Sequence, residues 1–495
     1  MTTPDVIIIG SGIGGSTMAA ALAPSGKSIL ILERGEHLKP SAQDRSDKAI
    51  FAEGFYRPSE EWLDGEGKPF NPGNYYFVGG NSKFYGAVLI RYRREDFTPL
   101  AHMGGTTPGW PISYDDLEAS YSLAEQMYQV RGQTGQDPTE PPHSTAYSHP
   151  PVPDEPPIAT LRKRLTAVGL HPSSLPLGVD LPQWLARAKT PWDAFPDTTG
   201  GKLDAETAAL KSALKHRNVQ LRTAAQVACL QTGPDGKITG VELASGEVLS
   251  APTVVLAAGA IQSVALLLAS ANEGYPNGLA NSSDQVGRNF MNHNSSAVLA
   301  LHPLWKNGSV YQKTLMVNDY YLTGGPKGEP LGNIQLLGKI SGTILRATTT
   351  MPRFVANWVA RHSVDLYAMS EDLPNPESRV TLKNGRIVLD WKRSNWEAHL
   401  ALVAKLKAKL RQAGYPIVLS RPFDRRTPSH QCGTARMGND PATSVVDTFC
   451  RSHDHANLFI TDASVLPTSA AVNPALTVAA LAIRAAGHIR QTELA

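Results

Sequence analysis

The chain has 495 residues, with 47 Lys plus Arg against 44 Asp plus Glu and a formal net charge of +3. So even a balance leaves no electrostatic footprint for nucleic acid or an anionic membrane, and 41% apolar with 18% charged residues excludes a disordered chain. Three cysteines, Cys229, Cys432 and Cys450, form no CxxC pair. They exclude a disulfide framework and a zinc site, and are expected to be small buried hydrophobes in a reducing compartment. No metal site is expected.

The start, Met1-Thr2-Thr3-Pro4, carries no basic segment ahead of an apolar stretch, so no leader is expected. Asp5 to Ile9 is a short apolar, β-branched run that reads as a buried parallel strand. Gly10-Ser11-Gly12-Ile13-Gly14-Gly15 follows, then a small-residue helix from Ser16 to about Ala23, and a second buried strand at Ser28 to Leu32 closing on Glu33. This is a βαβ unit with the GxGxxG spacing. Its first glycine permits the tight turn, the second lets the backbone approach a pyrophosphate, and the third allows close helix–strand packing. Phosphates sit on the helix N-terminus, and Glu33, at about the expected distance in sequence, binds ribose hydroxyls and disfavours a 2′-phosphate. A dinucleotide other than NADP is therefore predicted.

Residues 133–157 are rich in Pro, Ser and Thr and are read as a loop, either mobile surface or active-site lid. Glu206 to Lys215 reads as helix, and Asn218–Arg222 and Ala225–Leu230 as strands. Asp235-Gly236 marks a hairpin turn into Ile238–Leu243. Val254 to Ala260 is another buried strand ending in a turn. The longest apolar stretch, 253–271, is broken by Gly259, Gln262 and Ser263, so it reads as strand–turn–helix and not as a membrane span. A soluble, cytoplasmic protein is expected. From Ala297 to about Trp391 the pattern is strand-like. Trp396 to Ala413 is an amphipathic helix stopped by Gly414-Tyr415-Pro416, and a buried strand at Leu458–Ile460 precedes a helix from about Pro474. The expected architecture is α/β: a Rossmann-like domain assembled from 1–95, 196–295 and 425–495. A connecting segment spans 96–195, and an α+β substrate domain with a mainly antiparallel sheet spans 296–424.

The turns at Glu33-Arg34-Gly35, Val78-Gly79-Gly80-Asn81-Ser82 and Ala257-Ala258-Gly259 add loops able to wrap one long dinucleotide, which favours a retained FAD over an exchanging NAD. With them, the segments His430-Gln431-Cys432-Gly433-Thr434, Leu458 to Thr468 and Val472-Asn473-Pro474-Ala475-Leu476-Thr477 resemble the glucose–methanol–choline (GMC) family of flavoprotein oxidoreductases. Trp110 to Leu117 and the Gly79-Gly80 turn are similar to its pyranose oxidase and glycoside 3-oxidase branch. The resemblance implies FAD contacts that include Gly86, Val227, Asp462, Ala463, Pro474 and Thr477. It also implies a catalytic pair, His430 and Asn473. Histidine has its ordinary pKa near working pH and suits the base that takes a hydroxyl proton; the carboxamide can donate to the developing alkoxide. Asn473 before Pro474 also fits a helix start, whose dipole would favour negative charge on the flavin. Where fungal pyranose oxidases link flavin to a histidine, this chain has Ser82-Lys83-Phe84-Tyr85, so the FAD is expected to be non-covalent. The resemblance implies oxidation of a secondary ring hydroxyl of a pyranose or glycoside, at C3 or C2, with O2 or a quinone-type acceptor. A non-catalytic flavin-binding protein and an NAD-dependent dehydrogenase are the alternatives. His453 and His455 are expected on surface loops, His293 near the flavin without a role, and Met437 and Cys432 in packing.

Overall fold

A computed structural model describes residues 3–424 and 429–494; Met1 and Thr2, and the start of the expected C-terminal segment at 425, lie outside the described residues. Five parallel strands form the first sheet, in the order Leu458–Ile460, Thr253–Leu256, Val6–Ile9, Ile29–Leu32, Val219–Arg222. They come from three separated stretches of chain. The two central strands, VIII and TVVL, are buried on both faces, which is why they read as unbroken apolar runs. The helix Ile13–Leu22 packs on the helix Ala475–Thr492, so the two ends of the chain share one core.

The second sheet has six antiparallel strands, in the order Ile417–Pro422, Asn294–Leu301, Ser363–Ser370, Asn333–Leu336, Leu315–Val317, Pro172–Ser174. One face carries Val298, Ala300, Ile334, Leu336, Leu366 and Ala368 against the helix Trp396–Gln412. Side chains alternate along a strand, so Ala297, Leu299, Asn333, Gln335 and Tyr367 occupy the opposite face. Pro172–Ser174, from the stretch expected to be a connector, is the last strand of this sheet.

Several expectations are corrected. The stretch 341–362, read as strand-like, holds the helices Gly342–Thr348 and Arg353–His362. The Pro-rich segment ends inside a helix, Pro156–Ala167, because proline is tolerated in a first helical turn. None of residues 133–157 lines the large cavity. Instead Asp137 pairs with Arg93, and Glu155 accepts from the backbone N–H groups of Val310, Tyr311 and Gln312. These contacts fasten the segment to Arg93 and to the Val310–Gln312 backbone. His455 is fully buried, bonded through Nδ1 to the Gly236 carbonyl and through Nε2 to the Ala280 N–H. Cys229 is partly exposed, whereas Cys432 and Cys450 are buried.

Candidate active site

A continuous cavity of about 1850 Å³ runs from the parallel sheet to the polar face of the antiparallel one, well above the roughly 300–1,000 Å³ of a single small-molecule site. The turn after the first strand opens its floor. Gly10 has φ +101°, and a Cβ on Gly14 or Gly15 would stand 1.7 Å from the Thr461 carbonyl oxygen or 1.9 Å from that of Gly10. These contacts bring backbone so close that only glycine fits. The helix Ile13–Leu22 begins at Gly12 with no side-chain cap and no acidic residue in its first turn. Its free N–H groups therefore remain available to an anion. Glu33, buried at the next strand's end, accepts from Ser11 N and Oγ through Oε2 and from Gly35 N through Oε1; its remaining lone pairs can take ribose hydroxyls. Ser11 Oγ in turn accepts from Gly79 N and so fixes the Gly79–Ser82 turn beside the glycine loop.

Of the residues expected to touch the cofactor, Gly10 to Gly14, Glu33, Arg34, Gly79 to Ser82, Gly86, Val227, Ala257 to Gly259, Asp462, Ala463 and Pro474 line this cavity. Gly15 and Thr477 do not. Gly15 packs against Gly10, and the Thr477 hydroxyl is bonded to Tyr121 Oη at 2.7 Å. Asp462 caps Ser464 N and also accepts from Gly259 N, tying two cavity turns together. The helix Ala475–Thr492 likewise starts without a side-chain cap or an acidic first turn. Two bare helix N-termini on one cavity fit a dinucleotide: the first would hold its phosphates, and the second would favour negative charge on its ring.

His430 and Asn473, 43 residues apart in sequence, meet at the cavity wall: Asn473 Nδ2 lies 3.2 Å from His430 Nε2. Asn473 does not cap the helix that follows it; its carboxamide oxygen accepts from Gln335 Nε2 at 3.0 Å. His430 Nδ1 stands 2.8 Å from His293 Nδ1, and His293 Nε2 is 3.0 Å from the Ser469 carbonyl. Burial, then the neighbouring His293 and Lys313, hold the His430 pKa well below the usual histidine value; burial takes His293 down to about 4. Both rings are neutral at pH 7. Lys313 pairs with Asp193 at 2.8 Å on the same cavity. Burial raises the Asp193 carboxyl, but Lys313 and the Gly338 N–H outweigh it and keep it ionised.

The sequence reading gave His293 no role and missed Gln335, Lys313 and the cavity-lining stretch 337–351. The signal for Gln335 was present: Asn333-Ile334-Gln335-Leu336 alternates polar and apolar, yet all four are buried, and buried amides require partners.

A cavity of this shape, floored by a glycine turn with an acidic strand end and walled by a histidine–carboxamide pair, fits a dinucleotide-dependent oxidoreductase. Residues 5–276 match the family model described as FAD dependent oxidoreductase, and residues 374–482 match that of GMC oxidoreductase. The chain belongs to the family of FAD dependent oxidoreductases, its C-terminal segment is that of a GMC oxidoreductase, and FAD is its cofactor. It is 28% identical to the fructose dehydrogenase large subunit of Gluconobacter japonicus, over 98% of this chain and 97% of that one. It is also 28% identical to paromamine 6'-oxidase of Streptomyces fradiae (97% and 90%) and to 2-methyl-1,2-propanediol dehydrogenase of Mycolicibacterium austroafricanum (98% and 95%). The fold is shared with the crystal structure of pyridoxine 4-oxidase from Mesorbium loti, with a TM-score of 0.69, 18% identity and 99% of both chains covered. No helix among the described residues is long and apolar enough to cross a membrane.

Proposed function

We propose that this enzyme oxidises a secondary ring hydroxyl of a pyranose or glycoside, at C3 in preference to C2, to the keto-sugar, with O2 as acceptor and H2O2 as the second product. The observation that carries the reading is the His430–Asn473 pair, one proton acceptor and one donor 3.2 Å apart on the cavity wall. A hydroxyl placed against both gives its proton to His430 Nε2 and receives the Asn473 N–H on its oxygen. The N–H contact strengthens as charge develops there. General-base assistance of this kind is worth about 10²–10⁴-fold. Bound FAD supplies the hydride-accepting chemistry. The turns at Gly10–Gly14, Gly79–Ser82 and Ala257–Gly259 would hold it, and we read it as non-covalent. Among the described residues lining the cavity, His430 is the only histidine and there is no cysteine. Two relatives whose names denote sugar or aminoglycoside chemistry support the substrate class.

A second reading, transfer of electrons to a quinone or cytochrome, is favoured by the likeness to a dehydrogenase large subunit; peroxide formation in air against reduction of an artificial quinone separates the two. The assignment is tested by anaerobic titration of the yellow protein with sugars and glycosides, locating the new carbonyl by NMR. His430→Ala is expected to keep FAD bound and to lose sugar-dependent bleaching; retained turnover would sink the assignment.

A further inference from the structure

Beyond the pair itself, a single hydrogen-bonded chain runs through the site. Asn318 Nδ2 donates to Asp137 Oδ2 (2.7 Å), Asn333 Nδ2 to Asn318 Oδ1 (2.7 Å), and Gln335 Nε2 to both Asn333 Oδ1 (3.1 Å) and Asn473 Oδ1 (3.0 Å). Asn473 Nδ2 then reaches His430 Nε2, His430 Nδ1 reaches His293 Nδ1, and His293 Nε2 reaches the Ser469 carbonyl. Asp137, Asn318, Asn333 and Gln335 are all buried.

Both ends of this chain are acceptors. At one end, the Asp137 carboxylate, paired with Arg93, accepts, so Asn318 must turn its NH2 toward it. That choice turns Asn333, then Gln335, then Asn473, until an N–H faces His430. At the other end, the Ser469 carbonyl can only accept, so His293 carries its proton on Nε2. A neutral His293 then has a bare Nδ1, and His430 must supply the proton between the two rings. We infer that Gln335 and His293 are positioning residues that fix, from opposite sides, His430 as the Nδ1–H tautomer with a bare Nε2 and Asn473 with its N–H toward substrate. The inference rests on the reading of His430 as base. It adds that two touching histidines hold opposite tautomers and that a strand of amides dictates which atoms meet the hydroxyl.

Either constraint alone specifies the same state, so the loss of both is more than the sum of the single losses. The test is 15N NMR of histidine-labelled, FAD-loaded protein, with His430 and His293 assigned by loss of signals in His430→Asn and His293→Leu, together with the rate of sugar-driven flavin reduction. In the wild type, His430 is expected to show a protonated Nδ1 and a bare Nε2, and His293 the reverse. His293→Leu and Gln335→Leu each keep the His430 signature. The double variant shows one proton shared between both His430 nitrogens, with a rate loss of about twofold beyond the product of the single losses, as the fraction of His430 with a bare Nε2 falls to about half. A bare Nδ1 on His430 in the wild type overturns the inference, as does an unchanged signature in a folded double variant. Should the double variant not fold, the two wild-type signatures decide alone. If no sugar bleaches the wild-type flavin, the proposed substrate class fails while the tautomer result stands.

Discussion

As the proposed base, His430 must keep its Nε2 bare, and its surroundings set the pH at which that ends. Burial, then His293 and Lys313, disfavour the charged ring, and Asp193 is paired with the Lys313 ammonium. The acid limb of kcat/KM reports this group in the free enzyme, so it is expected well below pH 6.5, the ordinary histidine value. Lys313→Met removes one positive charge and leaves Asp193 without its counter-ion; both changes favour an imidazolium. The limb should therefore move upward, toward neutrality, in stopped-flow flavin reduction across pH. An unmoved limb would mean that Lys313 is not felt at the base.

At the scale of elements, the tightest junction is that between the first helix and the loop before Ala463. Gly14 lies in the helix Ile13–Leu22, and a Cβ there meets the Thr461 carbonyl oxygen at 1.7 Å and its carbon at 2.9 Å. Backbone on both sides leaves nothing flexible to yield. Gly14→Ala is expected to cost about 3 kcal/mol or more, the upper range of overpacking, and to release FAD, because Asp462 and Ala463 line the same cavity. Bound-flavin absorbance and thermal melting read both effects. The glycine turn before this helix was legible because its spacing is local, whereas the contact of Gly14 with Thr461 was not. The parallel strands Val6–Ile9, Ile29–Leu32 and Leu458–Ile460, whose residues are apolar throughout, were legible too, while the His430 and Asn473 segments were carried by the family resemblance. The helix Arg353–His362 left a readable trace as well: Val355, Ala356, Val359 and Ala360 pack inward while Phe354 is 77% exposed, a period of 3.6 lost among neighbouring strands. What no local pattern gives is a partner far along the chain. His455 is buried by Gly236 and Ala280, and His293 acquires its place only when residues 430 and 469 arrive beside it.

Across the whole molecule, buried ionisable groups of opposite kind are balanced against each other. Burial holds His102 and His293 near pKa 4, His399 near 3, and His430 well below its ordinary value. Burial also raises Asp96 and Asp372 to about 6 and Glu371 well above the carboxylate range. The two sets act on stability with opposite sign. Below pH 6.5 the unfolded chain binds protons that the buried histidines refuse, so their contribution, full above 6.5, is lost as pH falls toward 4. The carboxyls keep a proton in the fold that the unfolded chain has released, so their contribution is full at low pH and is lost as pH rises from about 4 through 6 and above. Between pH 4.5 and 6.5 the two trends offset.

Glu371 isolates one side of that balance. Its Oε1 accepts from Ala470 N at 3.0 Å and its Oε2 lies 3.3 Å from His102 Nε2, and Ala470 is held in the left-handed region at φ +50°. Glu371→Gln has the shape of the protonated acid and preserves both contacts, but it no longer exchanges a proton on unfolding. Its melting temperature should therefore fall more steeply from pH 6.5 to 4.5 than that of the parent, by an added 1–3 °C or so, given about 1.4 kcal/mol per pKa unit and the modest shift per kcal/mol of a large chain. Scanning calorimetry at one scan rate across that window measures it. Parallel curves for the two proteins would show that Glu371 is ionised in the fold, and that the loop presenting Ser469 and Asn473 is anchored by a carboxylate in place of an acid.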